Sequence, residues 1–415
     1  MASSSRGSSH VDITVDALIV GAGPAGSVTA ALLADAGLQV LVVDRAAFPR
    51  DKPCAEYLSP AAVLILERLG VMGKLMDAGA TTLSGMTVVG AYGSRLTGLF
   101  AKTGSPLPHR PAGLAVTRRV LDASLVDAAR SRGVTVMERT RVVELVRHRG
   151  AVTGAVIATA GGRTATVAAP VTVGADGLNS VVARWFGPMR REPLRRWAFV
   201  GHFTGVTGLG DRAELHAGTA GYAGLNPVGP GIANVSLVVP RQVASRARGD
   251  VTDFFHDTLD RFEGIRNRVH ASGSLGPILT VGPFGVRARR PVVDGGLLVG
   301  DAAEFFDPFT GDGIHSALRG AELASAAILG AARGPMPLSA TSLSGYLRAR
   351  RRAFWGKWMV ERMIGYGMLL PRLFDRAVER IGRNDPMAHT LIGVTGHVVP
   401  PGAVLNPVYL TRMVL

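Results

Sequence analysis

The sequence predicts an α/β protein in which a nucleotide-binding half carries an inserted antiparallel sheet and ends in a helical tail. Three observations carry this. A short apolar strand at 16–20 runs into Gly21-Ala22-Gly23-Pro24-Ala25-Gly26 and then a helical stretch. From 197 to 240 the pattern becomes β-like and rich in turns. From 346 to 415 it becomes rich in arginine and aromatic residues at helical spacing. A chain of 415 residues, 47% hydrophobic, buries a large core and suits two lobes.

Taken in order, the Ser-rich segment 1–12 predicts a disordered tail. The glycine turn leads into a helix over 25–36, which Gly37 ends. A strand over 38–44, rich in Val and Leu, is buried on both faces and finishes at Asp44. Ser59 and Pro60 suit the cap and first position of a helix over 59–69. Strands separated by glycine turns follow at 83–99. Leu121, Leu125, Ala128 and Ala129 mark an amphipathic helix over 120–132. Strands at 134–146 and 152–158 flank a turn at Arg149-Gly150. The stretch 164–174 enters a second signature, Gly174-Ala175-Asp176-Gly177. A buried strand at 297–300 opens a third, Gly300-Asp301, followed by Pro308-Phe309-Thr310-Gly311-Asp312-Gly313. A small-residue helix over 313–329 succeeds it, and Pro335-Met336-Pro337 marks a boundary. The domains expected are 13–90, 113–190 and 280–335 for nucleotide binding, 91–112 and 191–279 for a substrate sheet, and 336–415 for the helical region.

The net charge of +15 raises the question of nucleic acid. Lys52, Lys74, Lys102 and Lys357 are the only lysines among 46 basic residues, and the arginines are scattered without interleaved aromatics. No nucleic-acid partner is expected. A single cysteine, Cys54, excludes an internal disulfide and a thiolate metal cluster, so no metal is expected and a reducing cytoplasm is. The first 16 residues lack the apolar core of a signal peptide, and no run is apolar enough to span a membrane.

The first signature has a direct physical use. Gly21 permits the tight turn, Gly23 lets backbone approach a pyrophosphate, and Gly26 lets the helix pack on the sheet, with Ala25 between them. The helix N-terminus favours phosphate charge. Asp44 ends the second strand, where a carboxylate can accept from both ribose hydroxyls.

The three signatures in this order, spanning 13–329, resemble the flavoprotein family that holds the aromatic hydroxylases (group A flavin monooxygenases) and the geranylgeranyl reductases. The resemblance implies a Rossmann-like FAD-binding domain of the GR2 type, with an inserted antiparallel β-sheet substrate domain and a helical C-terminal tail. It implies FAD as cofactor and NAD(P)H as electron donor, without a separate nicotinamide domain. Position by position, it places Asp44 on the ribose, Arg45 near the adenine and Val142 against the adenine through its backbone. Arg118 falls in the phosphate region, and Asp176 with Gly177 near the pyrophosphate. Asp301, after Gly300, falls on the ribityl chain. Pro308 and Gly311 to Ile314, Gly313 included, fall at the flavin N1–C2=O edge, where N–H donors stabilise negative charge.

The segment 48–60, Phe-Pro-Arg-Asp-Lys-Pro-Cys-Ala-Glu-Tyr-Leu-Ser-Pro, resembles the geranylgeranyl reductase branch, in which the cysteine lies near the flavin. Cys54 is therefore a candidate redox or proton-relay group if its pKa is lowered, with packing beside the isoalloxazine as the plainer reading. Ala55 and Glu56 stand where that branch has glycines, and Glu56 and Tyr57 are further substrate-side candidates. The branch's Tyr-x-Trp-x-Phe-Pro motif is Tyr222-Ala223-Gly224-Leu225-Asn226-Pro227 here. Loss of Trp and Phe opens space and adds a polar group, so Tyr222 and Asn226 are expected to meet a bulkier, oxygen-bearing substrate. Trp185, Trp197, Trp355 and Trp358 form no halogenase Trp-x-Trp motif. His315 is a candidate acid or a buried helix residue. The basic, aromatic stretch 346–381 reads as a lid on the substrate domain or as a peripheral membrane contact. The expectation is an FAD-dependent monooxygenase that hydroxylates or epoxidises a hydrophobic small molecule with NAD(P)H and O2 through a flavin C4a-peroxide. The alternative is an FAD-dependent reductase that saturates C=C bonds of an isoprenoid or quinone chain.

Overall fold

A computed structural model describes residues 12–100, 111–247, 249–332 and 337–414. Most of the expected tail 1–12, positions 101–110 of the expected segment 91–112, and Pro335-Met336 lie outside the described residues.

Short apolar strands build the first layer. Val292–Val293, Gly296–Leu298, Val171–Gly174, Ala17–Val20, Val40–Val43 and Thr135–Met137 form one sheet in that order. It is parallel except at the Val292–Val293 edge. Its central strands are fully buried, which suits their short sequences ALIV, VLVV and VTVG, free of charged residues. The helices Pro24–Asp35, Arg118–Arg130 and Gly313–Ala331 share a core with this sheet. The sequence places each of them to within two residues. Ser59 caps Pro60–Arg68 by accepting from the Ala62 N–H at 3.4 Å, as Ser-Pro predicts. A second sheet is led by Thr140–His148 and Ala151–Thr159.

The other large layer is a seven-stranded sheet. Its order is Leu279–Val281, Arg196–Thr204, Ile232–Pro240, Gly221–Gly229, Arg212–Gly218, Gly85–Val89 and Arg95–Leu99. All pairs are antiparallel except Arg212–Gly218 with Gly85–Val89. Gly85–Val89 thus belongs to the seven-stranded sheet, although it lies within the expected segment 13–90. The reason is non-local: a strand's sheet is set by its partner, and this partner is more than a hundred residues away. Leu279–Val281 likewise carries that sheet to the start of the segment expected from 280.

The tail is helical as expected, with Ser344–Gly367, Pro371–Gly382, Asp385–Thr395 and Pro407–Val414. Of these, Pro371–Gly382 and Asp385–Thr395 cover the sheet at Arg95–Leu99. Gly98 permits this closeness, because a Cβ there would lie 2.5 Å from the Ala388 carbonyl oxygen. No helix among the described residues is long and apolar enough to cross a membrane.

Candidate active site

The first glycine turn ends in a helix that nothing caps. Gly23 is the cap residue of Pro24–Asp35 and offers no side chain, so the first N–H groups stay open. A Cβ added at Gly23 would face Arg50 Nη2 at 3.8 Å and Arg118 Nη2 at 3.9 Å. The space left by that hydrogen is bounded by uncapped N–H groups and two guanidiniums, which is the donor set a pyrophosphate needs. Gly26 acts differently: a Cβ there would strike the Gly21 carbonyl oxygen at 1.8 Å. Asp44 is buried and accepts from the Ala22 N–H at 2.7 Å and the Ala46 N–H at 2.8 Å. Each oxygen keeps a lone pair for a ribose hydroxyl. The sheet led by Thr140–His148 begins beside it, since the Thr140 N–H donates to the Asp44 carbonyl oxygen. Val142 lies two residues further and is buried, while Arg45 is exposed.

From this turn a cavity of about 160 Å³ extends between the two layers. Gly23, Ala25, Lys52, Cys54, Arg118, Gly177, Gly300, Asp301, Pro308, Gly311, Gly313 and Ile314 all line it. Three signatures separated in sequence therefore converge on one elongated space. Asp301 and Lys52 share this wall. Burial raises the Asp301 carboxyl despite Lys52 and Arg118, and lowers the Lys52 ammonium. The helix Gly313–Ala331 also begins without a side-chain cap, so its N–H groups are open toward the cavity at Gly313 and Ile314. These residues fit an FAD molecule, with phosphate donors at Gly23 and an uncapped helix at the opposite end.

Asp176 does not line this space. Its carboxylate accepts from Ser180 Oγ, from the Val181 N–H at 2.7 Å and from the Val182 N–H at 3.4 Å. It caps the helix Val181–Phe186, and only the backbone around it, Ala175 and Gly177, reaches the cavity.

The floor of the chamber is one face of the seven-stranded sheet, and register dictates its chemistry. Pairing aligns Val281, Ala198, Val238, Tyr222 and Ala217 in one row. The next row is Val200, Ser236, Gly224, Leu215 and Val88. The third contains His202, Asn234 and Asn226. The two positions that differ from the reductase motif, Gly224 and Asn226, therefore both face the chamber.

Two of the substrate-side candidates also make bonds within the protein. The Tyr222 ring walls the chamber, but its hydroxyl donates to Asp307 Oδ1 at 2.7 Å, and Arg196 Nη1 holds the other Asp307 oxygen at 2.9 Å. Tyr222 thus ties the sheet to the segment at Asp307, and its hydroxyl is already committed. Asn226 uses its amide N–H on the Ala55 carbonyl oxygen at 2.8 Å, while its Oδ1 is buried without a partner among the described residues. Tyr57 Oη is buried and unpartnered in the same way, on the same chamber.

Cys54 sits on the chamber wall. Burial pushes its thiol up, outweighing the Arg118 guanidinium, so the premise of a lowered pKa fails. The thiol form packs there and accepts from the Glu56 N–H at 3.3 Å.

Glu56 has a role that sequence reasoning left without geometry. It adopts a left-handed backbone, φ 57°, at a position where the family pattern has glycine. Its buried carboxylate accepts from the Arg118 N–H at 2.7 Å, from His202 Nε2 at 2.6 Å and from Asn234 Nδ2 at 3.1 Å. Asn234 Nδ2 also donates to the Cys54 carbonyl oxygen at 2.8 Å. The loop 54–56 is thereby fastened to the polar row of the sheet. His202 and Asn234 carried no local signal. An acid in a glycine slot was the one clue that a distant partner must exist.

Comparison with known proteins agrees with this geometry. Residues 14–355 match the family model described as FAD binding domain. The menaquinone reductase of Mycolicibacterium smegmatis is 31% identical over 325 residues, covering 75% of each chain. The digeranylgeranylglycerophospholipid reductase of Methanothrix thermoacetophila is 31% identical over 320 residues, covering 74% of this chain and 76% of that one. Among solved structures, the myxobacterial chondrochloren halogenase superposes with a TM-score of 0.79 at 24% identity, covering 97% of this chain and 95% of its own. That likeness extends the shared fold into the C-terminal helices. The match to the family model, over most of the chain, makes this protein a member of the FAD binding domain family and an FAD-dependent oxidoreductase.

Proposed function

We propose that the protein is a monooxygenase acting on a bulky, oxygen-bearing hydrophobic molecule, with NAD(P)H as electron donor and O2 as co-substrate. The observation that carries this reading is the chamber floor. Gly224 and Asn226 replace the Trp and Phe of the prenyl-chain motif, and both face the chamber. A Cβ at Gly224 would meet only Ser236 Oγ at 2.9 Å and the Glu214 carbonyl oxygen at 3.8 Å, so a large side chain there would project into the substrate space. The unpartnered Asn226 Oδ1 and Tyr57 Oη favour a substrate that brings its own O–H and C=O groups.

The bound flavin supplies the redox chemistry. The chain's own residues bind, orient and exclude water. Met86, Val200, Leu215, Val238, Phe284 and Phe309 surround the substrate space with apolar surface. Burial pushes the Tyr57 hydroxyl far up, so it stays protonated and donates a hydrogen bond. Asn226 Oδ1 accepts one. Together they fix the orientation of a polar substrate edge.

A second reading, saturation of C=C bonds, is favoured by the reductase names of the curated relatives and by Cys54 on the chamber wall. Turnover without oxygen separates the two. The FAD-loaded protein is reduced anaerobically with NADPH and offered candidate substrates. No product before oxygen is admitted supports monooxygenation, whereas an anaerobic product richer by two hydrogens refutes it.

Substrate access is proposed to run along a membrane surface, from a reducing cytoplasm. Trp355, Met359, Tyr366, Leu369, Leu370 and Leu373 are exposed, with Leu369 at 56%. Arg348, Arg351, Arg352 and Arg372 flank them and are exposed too, and the only acid from 344 to 374 is the buried Glu361. Such a basic, apolar stripe suits an anionic lipid interface.

A further inference from the structure

The helix Gly313–Ala331 begins with an acid that does not cap it. Asp312 lies between Gly311 and Gly313, both on the chamber wall, yet it does not line the chamber itself and its side chain is only 1% exposed. Its Oδ1 stands 3.0 Å from His315 Nδ1, one turn on, and 2.7 Å from His397 Nε2, which follows the helix Asp385–Thr395. These three atoms all lie within 4.8 Å of one another. The donor set is therefore two imidazole nitrogens and one carboxylate oxygen, drawn from two separate elements. Around a tetrahedral zinc ion such atoms sit roughly 3.3 Å apart, so shifts of about half an ångström admit one.

The surroundings suit a metal. Ligand imidazoles must be neutral, and burial keeps both rings so. It lowers His315 to about 4, helped by Arg319 and opposed by Glu322. It lowers His397 well below its usual value, helped by His315 and Lys357 and opposed by Glu361. The other carboxylate oxygen is held from behind: Asp312 Oδ2 accepts from Ser316 Oγ at 3.1 Å and meets Lys357 Nζ at 3.2 Å. Outer partners of this kind fix a ligand's orientation. Lys357 is a positive charge beside the site, but Glu361 lies 2.6 Å from its ammonium and offsets it. With two neutral rings, the cluster keeps the single negative charge of Asp312. A neutral ring that donates to Asp312 carries its proton on the facing nitrogen. On metal binding that proton moves to the far nitrogen, His315 Nε2 or His397 Nδ1. Neither has a protein partner among the described residues, so each is free to take it.

We propose that Asp312, His315 and His397 bind one divalent transition-metal cation of the zinc class, with solvent completing its shell on the side of His397, whose side chain is 18% exposed. The donors select the metal: imidazoles suit zinc and its neighbours, whereas magnesium and calcium take oxygen ligands. The cation staples the C-terminal region to the turn that lines the chamber at Gly311 and Gly313. The single cysteine excludes a thiolate cluster and leaves this ligand set untouched. His397 lies beyond residue 355, where the match to the family model ends, so that match does not account for the site.

The inference is independent of the choice between oxygenation and reduction. The FAD-loaded protein is stripped with a chelator, returned to metal-free buffer and titrated with Zn2+ by calorimetry. One ion per chain is expected, and it raises the thermal midpoint by about 3 °C at a hundredfold excess over Kd. His397→Gln keeps a donor for Asp312. It is expected to retain FAD, to weaken Zn2+ at least about a hundredfold, the upper range for loss of an outer partner, and to lose the rise in midpoint. X-ray absorption at the zinc edge of the wild type is expected to show two imidazoles among nitrogen and oxygen ligands, a readout that needs no variant. A stripped wild type that takes up no Zn2+ overturns the proposal, and so does a zinc-edge spectrum without two imidazoles. A His397→Gln variant that binds Zn2+ with the wild-type stoichiometry and affinity overturns it as well, because the ligands would then be other histidines.

Discussion

At the scale of single residues, two glycines in one turn make separable demands. Gly23 has an ordinary φ of −74°, and a methyl group there touches only two guanidinium tips. Gly23→Ala is therefore expected to leave the thermal midpoint of the FAD-free protein unchanged and to weaken FAD at least about tenfold, ~1.4 kcal/mol. Isothermal titration with FAD checks this. Gly26→Ala is expected to lose the folded protein outright, because its methyl meets backbone at 1.8 Å. Glu56 illustrates a conflict settled by distant contacts. A left-handed backbone costs a non-glycine residue about 1–2 kcal/mol, and three hydrogen bonds offset that cost. The bond to Glu56 is the main cause that raises His202 above its usual value, against partial burial. A raised folded pKa stabilises below the unfolded value of 6.5, and that stabilisation is lost as pH rises through the folded value. Melting of wild type and His202→Gln is expected to differ most near pH 5.5 and to converge at high pH. An equal difference at both ends would show that the pair contributes no titrating interaction.

At the scale of elements, the chamber floor and the exposed stripe make their own predictions. Gly224→Trp restores the bulk of the prenyl-reductase motif in the middle row of the sheet. It is expected to keep FAD and to reduce kcat/KM for a bulky substrate by more than about tenfold, ~1.4 kcal/mol or more, while a slim chain is spared. An unchanged ratio between the two substrates would separate Gly224 from specificity. Trp355→Glu with Leu369→Glu is expected to abolish sedimentation with anionic vesicles and to leave the flavin spectrum intact. Equal sedimentation of the double variant would assign the stripe to the protein's own surface. The helices and glycine turns were legible in the sequence because their signals are local. Ser59-Pro60 sets a cap, and Gly21 to Gly26 sets a turn between strand and helix. The rows of the sheet were not legible, because register places Asn234 beside Asn226 and His202 opposite Glu56, 146 residues away. Asp176 was only partly legible for a related reason: an Asp-Gly pair before Ser180 suits a cofactor turn and a helix cap alike, and the carboxylate's bonds to Ser180 Oγ and the Val181 N–H come from the local fold.

At the scale of the whole molecule, one cavity joins what the chain keeps apart. Glycine turns beginning at residues 21, 177, 300 and 311 line one side of it, and a sheet assembled from 85 to 281 lines the other. Tyr222 to Asp307 and Asn226 to Ala55 are among the bonds that hold the two sides in register. The C-terminal region then brings Lys357, Glu361 and His397 against the turn at 311–313. In the proposed reaction this chamber directs oxygen to a bulky, polar-edged substrate. Turnover of the FAD-loaded protein with NADPH under 18O2, followed by mass spectrometry of the product, tests it most directly. One labelled oxygen atom per product is the predicted result. An unlabelled product heavier by two hydrogens would contradict it.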